Sequence, residues 1–373
     1  MKKLKLITLV GTRPELIRLS VLIKKCDIHF NHILVHTGQN YDYELNQIFF
    51  EDLKIRKPDY FLEVAGNNLG ETIGNIISKS FDLFIKIKPD AILILGDTNS
   101  SLSVLSAKRL KIPIFHMEAG NRCSDQNVPE EINRKIADHI SDINLAYTEN
   151  SRRYLLSEGF RKDHIFVTGS PLAEVIDYYK SKISNSNVLK NFKVSKRKFI
   201  LASIHREENL DIANNFNNII EALDFVVKKY NFPIIFSTHP RTKEKLSKLK
   251  IELNPEIRFV KPLGYFDYIK LQKNAFITLS DSGTISEESA ICSFPAVSVR
   301  TSTERPEAID YGSITIGNID SDSILQSIEL SIDTFKKGYN KIPLEYSFLN
   351  SSDRVIRIIQ GYTKIVNREI WRK

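Results

Sequence analysis

Cysteine is scarce in this chain. The 373 residues hold three, Cys26, Cys123 and Cys292, far apart and without a CxxC pair. That argues against a disulfide framework and a cysteine zinc site, and it points to a reducing cytoplasm. Long apolar runs are also missing. No stretch approaches the roughly 20 apolar residues that span a bilayer, so a membrane partner is not expected. The basic start, Lys2-Lys3-Leu4-Lys5, runs into apolar Leu4–Val10. That run is short and Gly11-Thr12-Arg13-Pro14 follows at once, so it reads as a first buried strand rather than a secretory signal. An acidic excess is absent too, and the formal net charge is +8. The lysines are spread among Ile and Asn, with no basic run interleaved with aromatics, which argues against nucleic acid as a partner. A modest positive balance suits an anionic small molecule such as a nucleotide diphosphate.

Several chemical signatures are missing as well. Without GxGxxG, no nicotinamide or flavin cofactor is expected. Without HExxH spacing, no metal is expected. Neither a nucleophile elbow GxSxG nor a phosphate loop GxxxxGK occurs. What remains is acid–base or group-transfer chemistry that needs no cofactor.

What the chain does have is alternation. Leu4–Val10, Ile33–His36, Ala91–Leu95 and Ile112–Met117 read as strands, with helical patterns at Glu15–Lys25, Leu69–Lys86 and Ser101–Leu110 between them. Glu130–Ile140 reads as a helix with Pro129 pre-set for its first turn. Asp142–Ala146 and Ile165–Thr168 are further strands, with a helix Ser151–Glu158 between them. The pattern loosens over Asp177–Arg197, a polar stretch that reads as a linker or an exposed helix with a loop. A second series follows, with strands at Phe199–Ile204, Pro233–Ser237, Ile257–Val260, Ala275–Leu279 and Ala296–Val299. Helices start near Asn214, Thr242, Tyr265 and Thr284. The tail Ser352–Arg372 is amphipathic, with Val355, Ile358, Ile359, Tyr362 and Ile365 on one face. The chain is therefore expected to be α/β: two Rossmann-like domains with parallel sheets, facing across a cleft.

Polar or glycine-bearing stretches follow the strands directly: Gly11–Glu15, Gly96–Thr98, Glu118–Gly120, His205–Glu208, His239–Arg241 and Asp281–Gly283. Strand C-termini are where open α/β sheets bind ligands. Arg13 and Arg18 could fork a phosphate, or Arg13 could be a surface residue beside a helix start. Asp281-Ser282-Gly283-Thr284 could hold a diphosphate at a helix start, with Glu287 or Glu288 near ribose hydroxyls. Alternatively Asp281 or Ser282 caps that helix and the acids complement its dipole. Arg305 could join the same phosphates. Asp97 is either a functional carboxylate or a helix N-cap. His205, flanked by Arg206, Glu207 and Glu208, is a candidate for acid–base work or phosphate contact. The stretch His116–Arg134 gathers Glu118, Asp125, Glu130 and Glu131. Glu130 and Glu131 could simply be first-turn helix acids, and one of them is read so.

These motifs, with Pro129-Glu130-Glu131, Asn133-Arg134 and Thr303–Glu307, stand in the order found in the non-hydrolysing UDP-N-acetylglucosamine 2-epimerase family. The chain resembles that family along essentially its whole length. The resemblance implies the GT-B architecture, with a first domain of 1–172 plus 352–373, a second of 173–351, and a final helix crossing back to the first. It also implies a UDP-2-acetamido sugar as partner, a homodimer, and an isomerase that eliminates UDP to a 2-acetamidoglycal and re-adds it. Asp97, Glu118 and Glu130 match the family's acid–base carboxylates, and His205 its catalytic histidine. Together the two readings give Arg13, Arg18, His239, Ser282, Gly283, Glu287, Glu288 and Arg305 as UDP-binding candidates.

The chain also departs from the family pattern. Arg18 stands where Lys is common, Asn121-Arg122-Cys123 where Leu-Arg-Thr is common, and His205-Arg206-Glu207-Glu208-Asn209 where His-Arg-Arg-Glu is common. Gln39-Asn40 replaces a Gln-His pair lining a regulatory substrate site, so allosteric activation by substrate does not carry over. With Asp125-Gln126 and Val128-Pro129, these variants resemble a branch converting UDP-2-acetamido-2,6-dideoxy-L-talose to UDP-N-acetyl-L-fucosamine. Interconversion of UDP-GlcNAc and UDP-ManNAc is the second expectation. A GT-B glycosyltransferase or a non-enzymatic nucleotide sensor stands further off.

Overall fold

Strands built from aliphatic and β-branched residues are buried on both faces, as a parallel sheet requires. All five residues of Ala91–Leu95 are buried, and five of six in Lys5–Val10. A fully buried Leu or Ile contributes about 1.5–3 kcal/mol, and these strands are made of them. The computed structural model describes residues 2–39, 50–123, 128, 130–212, 214–248 and 253–373, apart from the side chains of Glu207, Glu208 and Lys248. Asn40, Asp125, Gln126 and Pro129 lie outside the described residues.

The chain divides into two compact units, Met1–Asp177 with Ser347–Lys373, and Tyr178–Tyr346. The first unit holds β1 (Lys5–Val10), β2 (Asn31–His36), β3 (Tyr60–Phe61), β4 (Ala91–Leu95), β5 (Ile114–Ala119), β6 (Ile143–Ala146) and β7 (Ile165–Val167). They form one sheet in the order β3-β2-β1-β4-β5-β6-β7. The second unit holds β8 (Ile200–Ser203), β9 (Ile234–Ser237), β10 (Ile257–Val260), β11 (Ile277–Ser280), β12 (Ala296–Ser298) and β13 (Thr315–Ile316). Their order is β10-β9-β8-β11-β12-β13. The described pairings are parallel throughout. Each sheet is doubly wound. Its strand order reverses between β1 and β4 in the first unit and between β8 and β11 in the second. A crevice opens at such a switch point, beyond the strand C-termini.

The helix Ser351–Glu369 packs in the first unit against the helix Arg13–His29. Its entry is pinned by one buried carboxylate. Glu174 accepts from Ser351 Oγ at 3.0 Å and Ser352 N at 2.9 Å. Lys25 joins Glu174 to Asp353, at 2.7 and 2.9 Å. The buried face is Val355, Ile356, Ile359, Thr363 and Val366. Ile358, Tyr362 and Ile365, expected on the main face, lie half-buried on its flank. The stripe is centred about one position away because Thr363 packs inward as well as any aliphatic.

Other differences have local causes. Of the two readings of Asp177–Arg197, helix with loop holds and linker does not: it forms the helices Lys180–Asn185 and Val188–Asn191. Val188, Leu189, Phe192 and Val194 pack on Phe199 and Leu201 of the second unit's core. The pattern at Ser101–Leu110 resolves into a 3-10 turn Asn99–Ser103 and a helix Val104–Arg109. The strand expected at Ile112–Met117 starts only after Pro113 and runs on to Ala119, so Glu118 lies within it. Among the described residues, no helix is long and apolar enough to cross a membrane.

Candidate active site

In the first unit the switch point is framed by the turns after β1, β4 and β5. Glu118 is the second-last residue of β5, and its backbone is left-handed, with φ 66°. Pairing with β6 slips there: Met117 faces Leu145, and Ala119 faces Ala146. One extra residue in a strand makes a bulge, which re-aims a side chain at the sheet's end. Left-handed backbone costs a non-glycine residue on the order of 1–3 kcal/mol and persists only where surroundings hold it. Here Arg18 pairs with the buried Glu118 carboxylate. Asn121 Nδ2 lies 3.4 Å from its other oxygen. Gly96, directly after β4, lies against the same carboxylate.

Asp97 follows Gly96. Its carboxylate does not cap the next turn but receives Arg134, with Nε at 3.1 Å and Nη2 at 2.5 Å. Asn133 donates to the Asp97 carbonyl at 3.0 Å. Both residues come from the helix Glu130–Ile140, so Asn133-Arg134 serves a strand end some 37 positions earlier. The two neighbouring acids on that helix part company. Glu131 is buried, accepts from Cys123 N at 3.1 Å and pairs with Arg134. Glu130 is half-buried at the first helical position.

Glu15 is the residue that sequence reasoning passed over. Its buried carboxyl accepts from Gly11 N at 3.0 Å and Thr12 Oγ1 at 2.7 Å, and from Thr98 Oγ1 at 3.3 Å. It thereby ties the turn bearing Arg13 to the turn bearing Asp97. Burial pushes the carboxyl up to about 7, against hydrogen bonds that favour the ion. Between the ordinary 4.5 and about 7 the folded chain keeps a proton that the unfolded chain releases. Stability from this group is therefore full below about pH 4.5 and is lost as pH rises through about 7, by about 3 kcal/mol. Glu15→Gln is neutral throughout. Urea unfolding at about pH 5 and pH 8 should show the parent losing more stability than the variant by about that amount; parallel curves would remove the account.

In the second unit the switch point is built on Asp281, which follows β11 and is fully buried. Asp281 does not cap the helix Ile285–Cys292, whose N-cap is Thr284. Instead its Oδ2 accepts from the backbone N–H of His205 and of Arg206, each at 2.8 Å, and from Asn209 Nδ2 at 3.0 Å. His205 Nδ1 lies 3.3 Å from Oδ1. One carboxylate thus fixes the turn after β8, and the His205 ring stands 5.5 Å from that of exposed His239.

Gly283 sits under a cluster of cations. A Cβ on it would lie 3.2 Å from Arg305 Nη1 and 3.7 Å from Arg206 Nη2. Arg305 Nε donates to buried Glu287 at 2.6 Å. Arg300 holds buried Glu304 through bonds of 2.8 and 3.1 Å. Burial alone would push Glu304 up, but Arg300, Arg206 and Arg305 outweigh it and keep it far below the ordinary carboxylate range. Glu288 points elsewhere, accepting from buried Gln272 at 2.5 Å. Ser282 Oγ lies 3.0 Å from Thr284 Oγ1. So the structure gathers His205, His239, Ser282, Gly283, Glu287 and Arg305 at one switch point, and Arg13, Arg18, Asp97 and Glu118 at the other. Glu288 is turned away from the first group. The anchoring roles of Glu15, Asp281 and Glu304 were not read from the sequence, although Asp281 was visible as an acid directly after a strand.

Two doubly wound α/β units, each with charged groups gathered at its sheet's switch point, are the component parts of a GT-B protein, the class of the solved structures this chain matches. A family model described as UDP-N-acetylglucosamine 2-epimerase matches residues 24–360. The solved UDP-N-acetylglucosamine 2-epimerase from Rickettsia bellii is 47% identical, covers 100% of both chains and superposes with a TM-score of 0.93. The Methanocaldococcus jannaschii UDP-GlcNAc 2-epimerase, solved with UDP-GlcNAc and UDP, is 33% identical over 95% of this chain and 99% of its own, with a TM-score of 0.88. A Pseudomonas aeruginosa UDP-2,3-diacetamido-2,3-dideoxy-D-glucuronate 2-epimerase is 34% identical over 88% of this chain and 92% of its own. The chain belongs to the UDP-N-acetylglucosamine 2-epimerase family. It is an isomerase, a non-hydrolysing 2-epimerase of a UDP-sugar.

Proposed function

We propose that this chain inverts C2 of a UDP-2-acetamido sugar, and that the sugar is UDP-2-acetamido-2,6-dideoxy-L-talose, converted to UDP-N-acetyl-L-fucosamine. The observation that carries the reaction is the pair of carboxylates at the ends of neighbouring strands. Asp97 after β4 and Glu118 in the β5 bulge are each held by an arginine. A C2–H beside an acetamido group is too weakly acidic for direct removal. In the proposed route a carboxylate takes the C2 proton as the C1–O bond breaks, and UDP leaves with the bonding pair. The product is a 2-acetamidoglycal. UDP then re-adds at C1 while a second group delivers a proton to the opposite face of C2. Two acid–base groups are needed, and Asp97, Glu118 and Glu130 are the candidates.

The departing diphosphate requires fixed cations and N–H groups. Arg13, the Ser282–Gly283 turn, Arg305 and His205 are proposed for it. Arg18 is assigned differently from a phosphate fork: paired with Glu118, it orients that carboxylate. The sugar rests on the stretch Asn121-Arg122-Cys123. Relatives of similar identity act, by their names, on more than one UDP-sugar, so overall similarity does not choose. Asn121 lies beside Glu118 and donates toward it, which supports a part for this departure in choosing the sugar.

The test is incubation in D2O with the UDP-L-talose derivative and, separately, with UDP-GlcNAc. Deuterium should enter C2 with both the retained and the inverted sugar, and turnover should be faster on the L-talo compound. No deuterium at C2 with either substrate would sink the epimerase reading. Faster turnover on UDP-GlcNAc would leave the reaction standing and reassign the sugar.

A further inference from the structure

Beneath the two carboxylate-bearing turns lies a buried pair that the reaction scheme does not use. His116, in β5, and Asp138, in the helix Glu130–Ile140, are both fully buried. His116 Nε2 lies 2.8 Å from the carbonyl oxygen of Gly96, the residue before Asp97. His116 Nδ1 lies 2.9 Å from Asp138 Oδ1. Asp138 Oδ2 accepts from the backbone N–H of Gly120, two residues after Glu118, at 3.1 Å. The same oxygen receives Arg122 Nη1 at 2.7 Å, and Arg122 is braced by Glu158 at 2.6 Å. The contacts run from the Asp97 turn, through the imidazole and its close approach to the carboxylate, to the Glu118 turn.

We propose that His116 and Asp138 are positioning residues that lock the Asp97 and Glu118 turns at one separation. Three features make this more than the filling of a core. Both anchored residues, Gly96 with φ 71° and Gly120 with φ 83°, have left-handed backbone, so each turn leaves its strand sharply. Glu118 between them is itself left-handed, and its bulge leaves the local ladder irregular. Gly96 N–H still donates to the Met117 carbonyl at 3.0 Å, and the buried pair adds a brace that reaches both turns from below. Asp138 is also suited to the task electrically. Burial alone would raise its carboxyl, but His116 and Arg122 outweigh that and hold it below the ordinary range. Its Oδ2 accepts from Gly120 and Arg122 at once, while Oδ1 faces the His116 ring.

The inference rests on the acid–base roles of Asp97 and Glu118. Two carboxylates working on opposite faces of one carbon tolerate little error, and a displacement near 1 Å costs on the order of 10²-fold. His116→Phe removes both ring nitrogens, while His116→Gln keeps an N–H able to reach the Gly96 carbonyl. Asp138→Asn weakens the grip on His116 and Arg122. C2 exchange in D2O gives kcat, and UDP titration gives affinity, each per folded molecule. The expected result is a kcat loss on the order of 10²-fold for His116→Phe, with UDP affinity within about threefold of the parent and at least tenfold recovery in His116→Gln. If His116→Phe does not fold, Asp138→Asn must fall about tenfold below His116→Gln. Parent-like kcat in His116→Phe and Asp138→Asn, or UDP affinity falling in step with kcat, would overturn the proposal. A parent enzyme that exchanges no C2 proton on any UDP-sugar would instead overturn the epimerase reading.

Discussion

Glu118→Gln is expected to lower C2 proton exchange by about 10³-fold while leaving UDP affinity within about threefold. The substitution keeps the size of the side chain and an oxygen that Arg18 can donate to, so the bulge and the β5 terminus persist. It removes the ionised oxygen that can take a proton. Of the proposed diphosphate contacts, Ser282, Gly283, Arg305 and His205 belong to the second unit, and only Arg13 to the first. Asp97→Asn should behave alike, because Arg134 still finds one acceptor there. Exchange is read by mass spectrometry or NMR of the recovered sugar, and affinity by calorimetry with UDP. Exchange at the parent rate in both variants would refute the roles given to these carboxylates. A matched loss of UDP affinity would point to misfolding or to a binding role.

The second large effect is on stability. Gly120→Ala should destabilise the first unit by about 3–4 kcal/mol. Left-handed backbone costs a residue with a Cβ about 1–2 kcal/mol. The added carbon would also come within 2.4 Å of the Ser151 carbonyl oxygen and 2.9 Å of Leu155 Cγ. Ser151 belongs to the first turn of the helix Glu149–Ser157, where Thr148 caps its N–H. That backbone cannot yield without loosening the cap, and overpacking of this kind costs about 1–3 kcal/mol. Exchange activity should fall as well, because the Gly120 N–H anchors the turn after Glu118. A urea midpoint equal to the parent's would show that the helix moves aside at little cost.

Much of the fold was legible because its elements are local. Ala91–Leu95 and Glu130–Ile140 have the bounds that their patterns suggest. Buried parallel strands and amphipathic helices write their period into the sequence. Asp177–Arg197 was legible only as a choice between a linker and a helix with a loop. Its helices have 6 and 4 residues, too few for a period to emerge, and its few apolar anchors are diluted among Lys, Ser and Asn. The candidate site divides the same way. Acids and glycines directly after strands mark where it lies. Their partners do not show: Arg134 reaches Asp97 across 37 positions, and Asp281 reaches His205 across 76. Residue type suggested a helix cap for Asp97 and Asp281, and tertiary contacts supplied stronger partners. Glu15 was visible inside its motif, but its unusual acidity arises from burial, which no spacing reveals.

The pinning of the helix Ser351–Glu369 by Glu174 and Lys25 has a bearing on biosynthesis. The first unit is begun first, yet its last helix is made after the whole of Tyr178–Tyr346. Loop closure across more than 300 residues must await that helix, whereas the second unit is contiguous and closes on itself sooner. During translation the apolar side of the helix Arg13–His29 stays uncovered until residues near 359 leave the ribosome. Chaperone occupancy and protease sensitivity of nascent chains should therefore fall late, in one step, as that segment emerges. The first unit is begun before the second and completed after it.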